Sequence, residues 1–364
     1  MSKKILIIGS TGTLGTKLLN FCLKKNLSIS AITGFKNKKK LYLQKSKINS
    51  KYAFNLSELS ERKKFIDFLK NNQFKLVYFL DYGSYSLTYL DILIKNNKNS
   101  IFAIANKEMI IAGGPTLRKI MNSPKYKFIP LDSEHYSMIN HNFNGLNISK
   151  VFITASGGPF YFKKKIDLNK VNLKEVLNHP KWKMGVNNTI DSSNFINKFL
   201  EIFELSIIFN IPLEKIDFLI SKEAFVHSII IYKDNNISIN CFKNEMLISL
   251  IKPISEIFNI HIKSNSFDKV FNINNFILNR FDDKRFKIIK YKNLIKKFDH
   301  QKQIQFMLLN NKAHKLYLNN EIKYNDIVNF IFNNLPLNDQ KYDLTSFKKI
   351  VEFIDHQKIK YENI

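Results

Sequence analysis

Residues 191–201, Asp-Ser-Ser-Asn-Phe-Ile-Asn-Lys-Phe-Leu-Glu, bring together a hydroxyl pair, an Asn-Lys pair and a carboxylate. Read as one short helix, the stretch places Ser192 and Ser193 at a helix N-terminus. Unpaired backbone N–H groups and partial positive charge suit a phosphate there. Asn197 and Glu201 are four apart and share a face, with Lys198 about a hundred degrees round. Phe195, Phe199, Ile202 and Phe203 supply apolar anchoring on the remaining surface. The stretch therefore offers an anion site at its start and a metal ligand or acid one turn later. An ordinary amphipathic helix with a solvated polar side has the same pattern.

A second group of oxygen donors follows the apolar run Phe128-Ile-Pro-Leu131, where the chain reads Asp132-Ser133-Glu134. In an extended chain residues 132 and 134 point to one side, so both carboxylates converge on one cation. With Glu201 they form an all-oxygen set, which suits Mg²⁺ or Mn²⁺ rather than zinc. Asp-x-Glu is common on surfaces, but the carboxyl end of a strand in a nucleotide-binding sheet is where ligands bind. Ser156-Gly-Gly-Pro159 sets a hydroxyl beside backbone that can form an anion-binding nest. His179-Pro-Lys-Trp-Lys-Met-Gly185 holds the chain's single Trp in a polar stretch. It reads as a lid, or equally as an irregular loop pinned by Trp182.

These groups need a scaffold, and the first 130 or so residues suggest one. Apolar runs at 4–8, Leu27–Ile32, Leu76–Leu80, Ile101–Ala105 and Phe128–Leu131 alternate with helical patterns, which predicts a parallel sheet with crossover helices. Gly9-Ser10-Thr11-Gly12-Thr13-Leu14-Gly15 lies between the first strand and a helical pattern over Leu14–Lys25, the context of a dinucleotide-binding turn. A Gly-rich turn without a ligand has the same local signature. At the end of the second strand, Thr33-Gly-Phe-Lys-Asn37 runs into three lysines with no carboxylate for a ribose hydroxyl. That favours NADP over NAD, against the alternative of a solvated basic loop. Further on, Val151–Thr154, Phe218–Ile220 and Val226–Tyr232 suggest a second sheet, and Gln303–Leu318 and Tyr324–Asn333 read as helices.

Composition narrows the class. The chain has 364 residues, 45% hydrophobic and 13% aromatic, enough for two or three domains with sizeable cores. No apolar run reaches bilayer-spanning length and no cleavable leader precedes the first strand, so a cytoplasmic chain without a membrane partner is expected. Cys22 and Cys241 are expected to be buried small hydrophobes. The net charge of +27 comes from lysines scattered among Asn, Ile and Phe. It predicts attraction of anionic substrates and cofactors, with no nucleic-acid partner.

The whole set resembles the 1-deoxy-D-xylulose 5-phosphate reductoisomerase family. The resemblance runs through the glycine turn, Ala105-Asn-Lys-Glu108, Asp132-Ser-Glu-His135, Thr154–Phe160, His179–Gly185, Asp191–Glu201 and Val226-His-Ser228, and more weakly through Lys252-Pro-Ile254 and Leu309–Ile327. It implies an α/β architecture with a Rossmann-like NADPH-binding domain at 1–149. A catalytic and connective α+β domain at 150–290, with a flap near 179–190, and a helical domain at 291–364 would follow. It implies that Asp132, Glu134 and Glu201 bind Mg²⁺ or Mn²⁺ and, with Lys198, form the catalytic set. Ser133, Ser156, His179, Ser192, Asn197 and Lys198 would hold the phosphorylated sugar, with Trp182 and Met184 on the flap. Gly9, Ser10, Thr11, Gly12, Thr13, Leu14 and Gly15 match the cofactor loop. Gly34, Lys36 and Asn37 match the 2′-phosphate region, and Asn106, Lys107, Glu108 and Gly185 the rest of the NADPH site.

The activity implied is NADPH- and metal-dependent conversion of 1-deoxy-D-xylulose 5-phosphate to 2-C-methyl-D-erythritol 4-phosphate in non-mevalonate isoprenoid synthesis, by a homodimer. Two departures bear on it. Phe199 stands where the family has Gly, so its ring either narrows the phosphate grip or packs elsewhere. Ser221-Lys-Glu-Ala224 replaces the family's His-Pro-Gln-Ser. They motivate an alternative, a diverged NADP-dependent oxidoreductase acting on another phosphorylated sugar. A basic non-enzymatic binding protein is the third reading.

Overall fold

A computed structural model describes residues 4–48, 50, 52–141, 143, 147–181, 184–243, 245–260, 277–336 and 340–364. In chain order the first elements are β1 (Ile5–Ile8), α1 (Thr13–Lys24), β2 (Ile29–Gly34), α2 (Lys38–Ile48), β3 (Tyr52–Asn55), α3 (Leu59–Lys70), β4 (Leu76–Phe79) and α4 (Ser86–Asn96). Then come β5 (Ile101–Ile104), α5 (Lys107–Met121), β6 (Lys127–Pro130), α6 (Ser133–Tyr136), β7 (Ile148–Ala155), α7 (Leu173–Leu177), α8 (Val186–Asn194) and α9 (Ile196–Phe209). The remainder is β8 (Ile216–Ile220), β9 (Val226–Tyr232), β10 (Ile237–Cys241), α10 (Leu247–Phe258), β11 (Asn279–Arg280), α11 (Lys292–Ile295), α12 (His300–Leu318), α13 (Asp326–Asn334) and α14 (Phe347–Glu362). Two compact units result, one from Met1–Ile110, Leu117–Asn140 and Asn244–Asn272, the other from Ile111–Thr116, His141–Lys243 and Ile273–Ile364.

The first unit carries a six-stranded sheet in the order β3-β2-β1-β4-β5-β6, with every neighbouring pair parallel. The order reverses at β1/β4, the switch point where such sheets bind ligands. Strands β1, β4 and β5 are buried at every position, as expected when helices cover both faces of a parallel sheet. Leu18, Leu19 and Cys22 of α1 join Ile5, Ile7 and Tyr78 in one core cluster, each fully buried aliphatic side chain contributing about 1.5–3 kcal/mol. The return helix α10 adds Leu250 and Ile254 to it. It is fixed in place by Tyr78 Oη donating to the Leu250 carbonyl and Ser249 Oγ to that of Leu131, both at 2.7 Å. Strand β3 was not anticipated, because Tyr-Ala-Phe-Asn lies among polar residues and is half-exposed at the sheet edge.

The second unit holds a mixed five-stranded sheet, β10-β9-β7-β8-β11, in which β7 and β8 are parallel and the other pairs antiparallel. Its missed strands are the two edges, β10 without a buried position and β11 with two exposed residues. Cys22 is buried as expected, its thiol pushed up to about 12 by that burial. Cys241 is not: it is exposed at the end of β10.

Two local expectations give way to tertiary structure. Residues 191–201 are not one helix. Phe195 takes a left-handed conformation (φ 68°) and separates α8 from α9. Ser192 and Ser193 therefore sit in the last turn of α8 instead of at an N-terminus. The cost of a positive φ at a bulky residue is offset by ring burial: Phe195 packs 4.3 Å from Phe281 and 4.8 Å from Phe286, centroid to centroid. Nor is Asp132–Glu134 extended. Asp132 precedes the single helical turn α6, which contains Ser133 and Glu134.

Candidate active-site residues

In the first unit β1 runs into the glycine turn and α1. Gly9 has φ +88°, and a Cβ built there would lie 2.5 Å from the Asp81 nitrogen, so both backbone shape and proximity to the β4 end require glycine. Gly12 precedes α1 with no side chain capping the helix and no acidic residue in its first turn. The helix end is thus left for an anion. Thr11, Gly12, Thr13 and Leu14 keep exposed surface, whereas Ser10 and Gly15 are buried. Ser10 Oγ donates to Gln44 Oε1 at 2.7 Å and to the Thr33 carbonyl, and Gln44 Nε2 returns a bond to the Ser10 carbonyl. The Ser10 side chain therefore ties the turn to β2 and α2. At the β2 end Gly34 is buried, while Lys36 and Asn37 are exposed. Asn37 Oδ1 accepts from the Lys40 N–H at 2.9 Å.

Across the switch point Asn106 caps α5, accepting from the Met109 N–H at 2.9 Å. Its Nδ2 donates to Asp81 Oδ1 (3.2 Å) and the Gly83 carbonyl (3.0 Å). Desolvation raises the Asp81 carboxyl against the opposing bonds from Ser86 and Asn106. Lys107 and Glu108 are buried, and the Lys107 ammonium lies 2.6 Å from Asp132 Oδ2. Asp132 and Glu134 bring carboxylate oxygens within 4.8 Å of one another, and Ser133 Oγ donates to Glu134 Oε2 at 2.5 Å. The turn of α6 thus achieves the convergence expected of an extended pair.

In the second unit, Gly157 and Gly158 both take positive φ after β7 (91° and 58°), a backbone shape that favours glycine. Ser156 Oγ lies 3.4 Å from His179 Nε2, and the Lys181 N–H donates to His179 Nδ1 at 3.2 Å. Burial, aided by the Lys198 charge, pushes His179 down to about 4. A neutral ring accepting at Nδ1 carries its proton on Nε2, facing Ser156. Met184 is half-buried and Gly185 opens α8; Trp182 lies outside the described residues. In the first turns of α9, Asn197 Nδ2 and Lys198 Nζ both donate to Glu201, at Oε1 and Oε2. The predicted shared face of Asn197 and Glu201 is realised. Asp191 of α8 accepts from Asn310 Nδ2 (2.9 Å) and His314 Nε2 (2.8 Å) of α12, all three buried.

Comparison with known proteins identifies the family. A family model for the 1-deoxy-D-xylulose 5-phosphate reductoisomerase C-terminal domain matches residues 128–209. A 1-deoxy-D-xylulose 5-phosphate reductoisomerase of Pelagibacter ubique is 34% identical over 349 residues, covering 90% of this chain and 89% of its own length. The chain belongs to the 1-deoxy-D-xylulose 5-phosphate reductoisomerase family. A reductoisomerase of Clostridium kluyveri is 31% identical over 89% of this chain and 90% of that one. The fold matches a DOX-P reductoisomerase solved with NADPH, fosmidomycin and magnesium, at TM-score 0.85 and 20% identity, over 99% of this chain and 98% of that one.

Within the reductoisomerase pattern, the outstanding departure was Phe199. Its ring is fully buried and meets Phe218 of β8 edge-on at 5.7 Å, so it extends the core. Two buried ionisable groups were given no role in the sequence reading. Glu204 is a buried carboxylate one turn after Glu201, and His135 is buried beside Glu134. The interruption of the apolar run Ile202-Phe-Glu-Leu205 by Glu204 was the legible signal.

Proposed function

We propose that the chain converts 1-deoxy-D-xylulose 5-phosphate to 2-C-methyl-D-erythritol 4-phosphate, using NADPH and a divalent cation. The observation that carries this is the 34% identity to the Pelagibacter ubique reductoisomerase over nine-tenths of the chain. The local chemistry supports it. A converging carboxylate pair at Asp132 and Glu134 suits a hard cation, and the open start of α1 beside Gly9 suits a pyrophosphate. We assign Asp132, Glu134 and Glu201 to Mg²⁺ or Mn²⁺, and Thr11–Gly15, Asn106, Lys107 and Glu108 to NADPH. When bound, the cation supplies Lewis-acid polarisation of a carbonyl and the cofactor supplies hydride.

The chain's own side chains position the sugar phosphate. Lys198 and Asn197 brace Glu201, which fixes its carboxylate oxygens in direction. Ser156, Ser192 and the Nε2–H of neutral His179 offer hydrogen bonds to phosphate and polyol oxygens, with Ser133 beside Glu134. Phosphate binding, remote from the reacting carbons, supplies energy for orientation. The reading of a diverged substrate rested partly on Phe199, whose ring lies in the core. We further assign the chain to the cytoplasm as a homodimer; none of the described helices is long and apolar enough to cross a membrane.

The direct test is product identity. Incubation with 1-deoxy-D-xylulose 5-phosphate, NADPH and Mg²⁺ is expected to give the branched polyol phosphate, identified by NMR and mass. Folded protein that binds NADPH yet leaves this substrate unchanged would refute the proposal.

A further inference from the structure

The turn after β2 was expected to meet the adenosine 2′-phosphate, yet two of its cations are already engaged. Lys38 Nζ lies 2.9 Å from Glu58 Oε1, and Lys40 Nζ donates to the Thr11 carbonyl at 2.8 Å. A different cation stands at the same strand ends. Arg62 of α3 donates from Nε to the Leu56 carbonyl. The Leu56 N–H in turn donates to the Gly34 carbonyl at 2.8 Å. The guanidinium is therefore anchored where β2 and β3 finish. Its Cζ is 5.6 Å from the ring centroids of both Phe35, just after β2, and Tyr85, in the turn before α4. Tyr85 is itself held edge-on against Tyr89 at 5.4 Å. Both flanking rings remain substantially exposed, Phe35 at 50% and Tyr85 at 41%. Among the described residues the two terminal nitrogens of Arg62 take part in no hydrogen bond or ion pair.

A guanidinium fixed by Nε and two rings, with its terminal N–H groups unused, is pre-organised for a bidentate oxyanion. The end of β2 in a doubly wound sheet is where the adenosine ribose sits, and an arginine there accommodates a 2′-phosphate. We infer that Arg62 grips the 2′-phosphate of the cofactor, with Phe35 and Tyr85 holding the guanidinium and offering ring faces to the adenosine. Arg62 then sets the preference for NADPH over NADH. Glu58, the nearby carboxylate that would oppose this, is neutralised by Lys38 and accepts a further bond from Asn55.

The inference rests on the proposed use of NADPH, and binding without turnover separates the two. Calorimetric titrations with adenosine 2′,5′-bisphosphate and with 5′-AMP are compared for the wild-type chain, Arg62→Met and Arg62→Lys. The wild type prefers the bisphosphate. Arg62→Met weakens the bisphosphate about ten- to a hundredfold and leaves AMP within about twofold. Arg62→Lys keeps the charge without the fork and falls between. Unchanged selectivity in either variant, or equal loss of both nucleotides, overturns the assignment. A wild-type chain that does not distinguish the nucleotides overturns the NADPH reading instead.

Discussion

Burial and the Lys198 ammonium push the His179 imidazole down to about 4, so the ring is neutral at physiological pH. Because the folded value lies below the ordinary 6.5, the unfolded chain binds more protons between the two. Stability therefore rises with pH across that window. The His179 contribution is fully present above pH 6.5 and is lost as pH falls to about 4. Denaturant melts of the wild type and His179→Asn between pH 7 and 4 are expected to converge as the pH drops. A constant difference would show that His179 titrates normally. At this scale the sequence was a good guide to residue types and a poor one to what each side chain faces. Ser10 lies in the glycine turn, yet its hydroxyl is engaged by Gln44 of α2. Arg62 carries no motif, because its meaning comes from rings contributed by two other loops.

At the scale of elements, the strong apolar runs were legible as strands and helices, since each buries a continuous or periodic face. Edge strands β3 and β10 were not, because they bury little. The break at Phe195 was invisible for another reason: no local preference favours a left-handed phenylalanine, and only the aromatic cluster around it makes that conformation stable. Phe199, one helical turn on, belongs to the same packing system through Phe218. Phe199→Ala is expected to cost about 3–5 kcal/mol of unfolding free energy with little change in KM for the sugar phosphate. A variant of wild-type stability with a markedly altered KM would place the ring in the substrate site after all.

On the scale of the whole molecule, the order β3-β2-β1-β4-β5-β6 brings the glycine turn, the Asn106 cap and the basic β2 end to the carboxyl edge of one sheet. That arrangement was predictable from the alternation of elements, and family resemblance supplied the roles. The two-unit division, with Asn244–Asn272 returning to the first unit, was not predictable, because nothing local to α10 names its partners Tyr78 and Leu131. The net charge of +27 favours collection of an anionic sugar phosphate and an anionic cofactor over long range. The central claim is a reduction of 1-deoxy-D-xylulose 5-phosphate that needs both NADPH and a cation held by carboxylates. NADPH oxidation followed with that substrate, before and after chelation by EDTA, tests it most directly. The account predicts turnover that EDTA abolishes and that added Mg²⁺ or Mn²⁺ restores; oxidation indifferent to the chelator, or none in folded NADPH-binding protein, would contradict it.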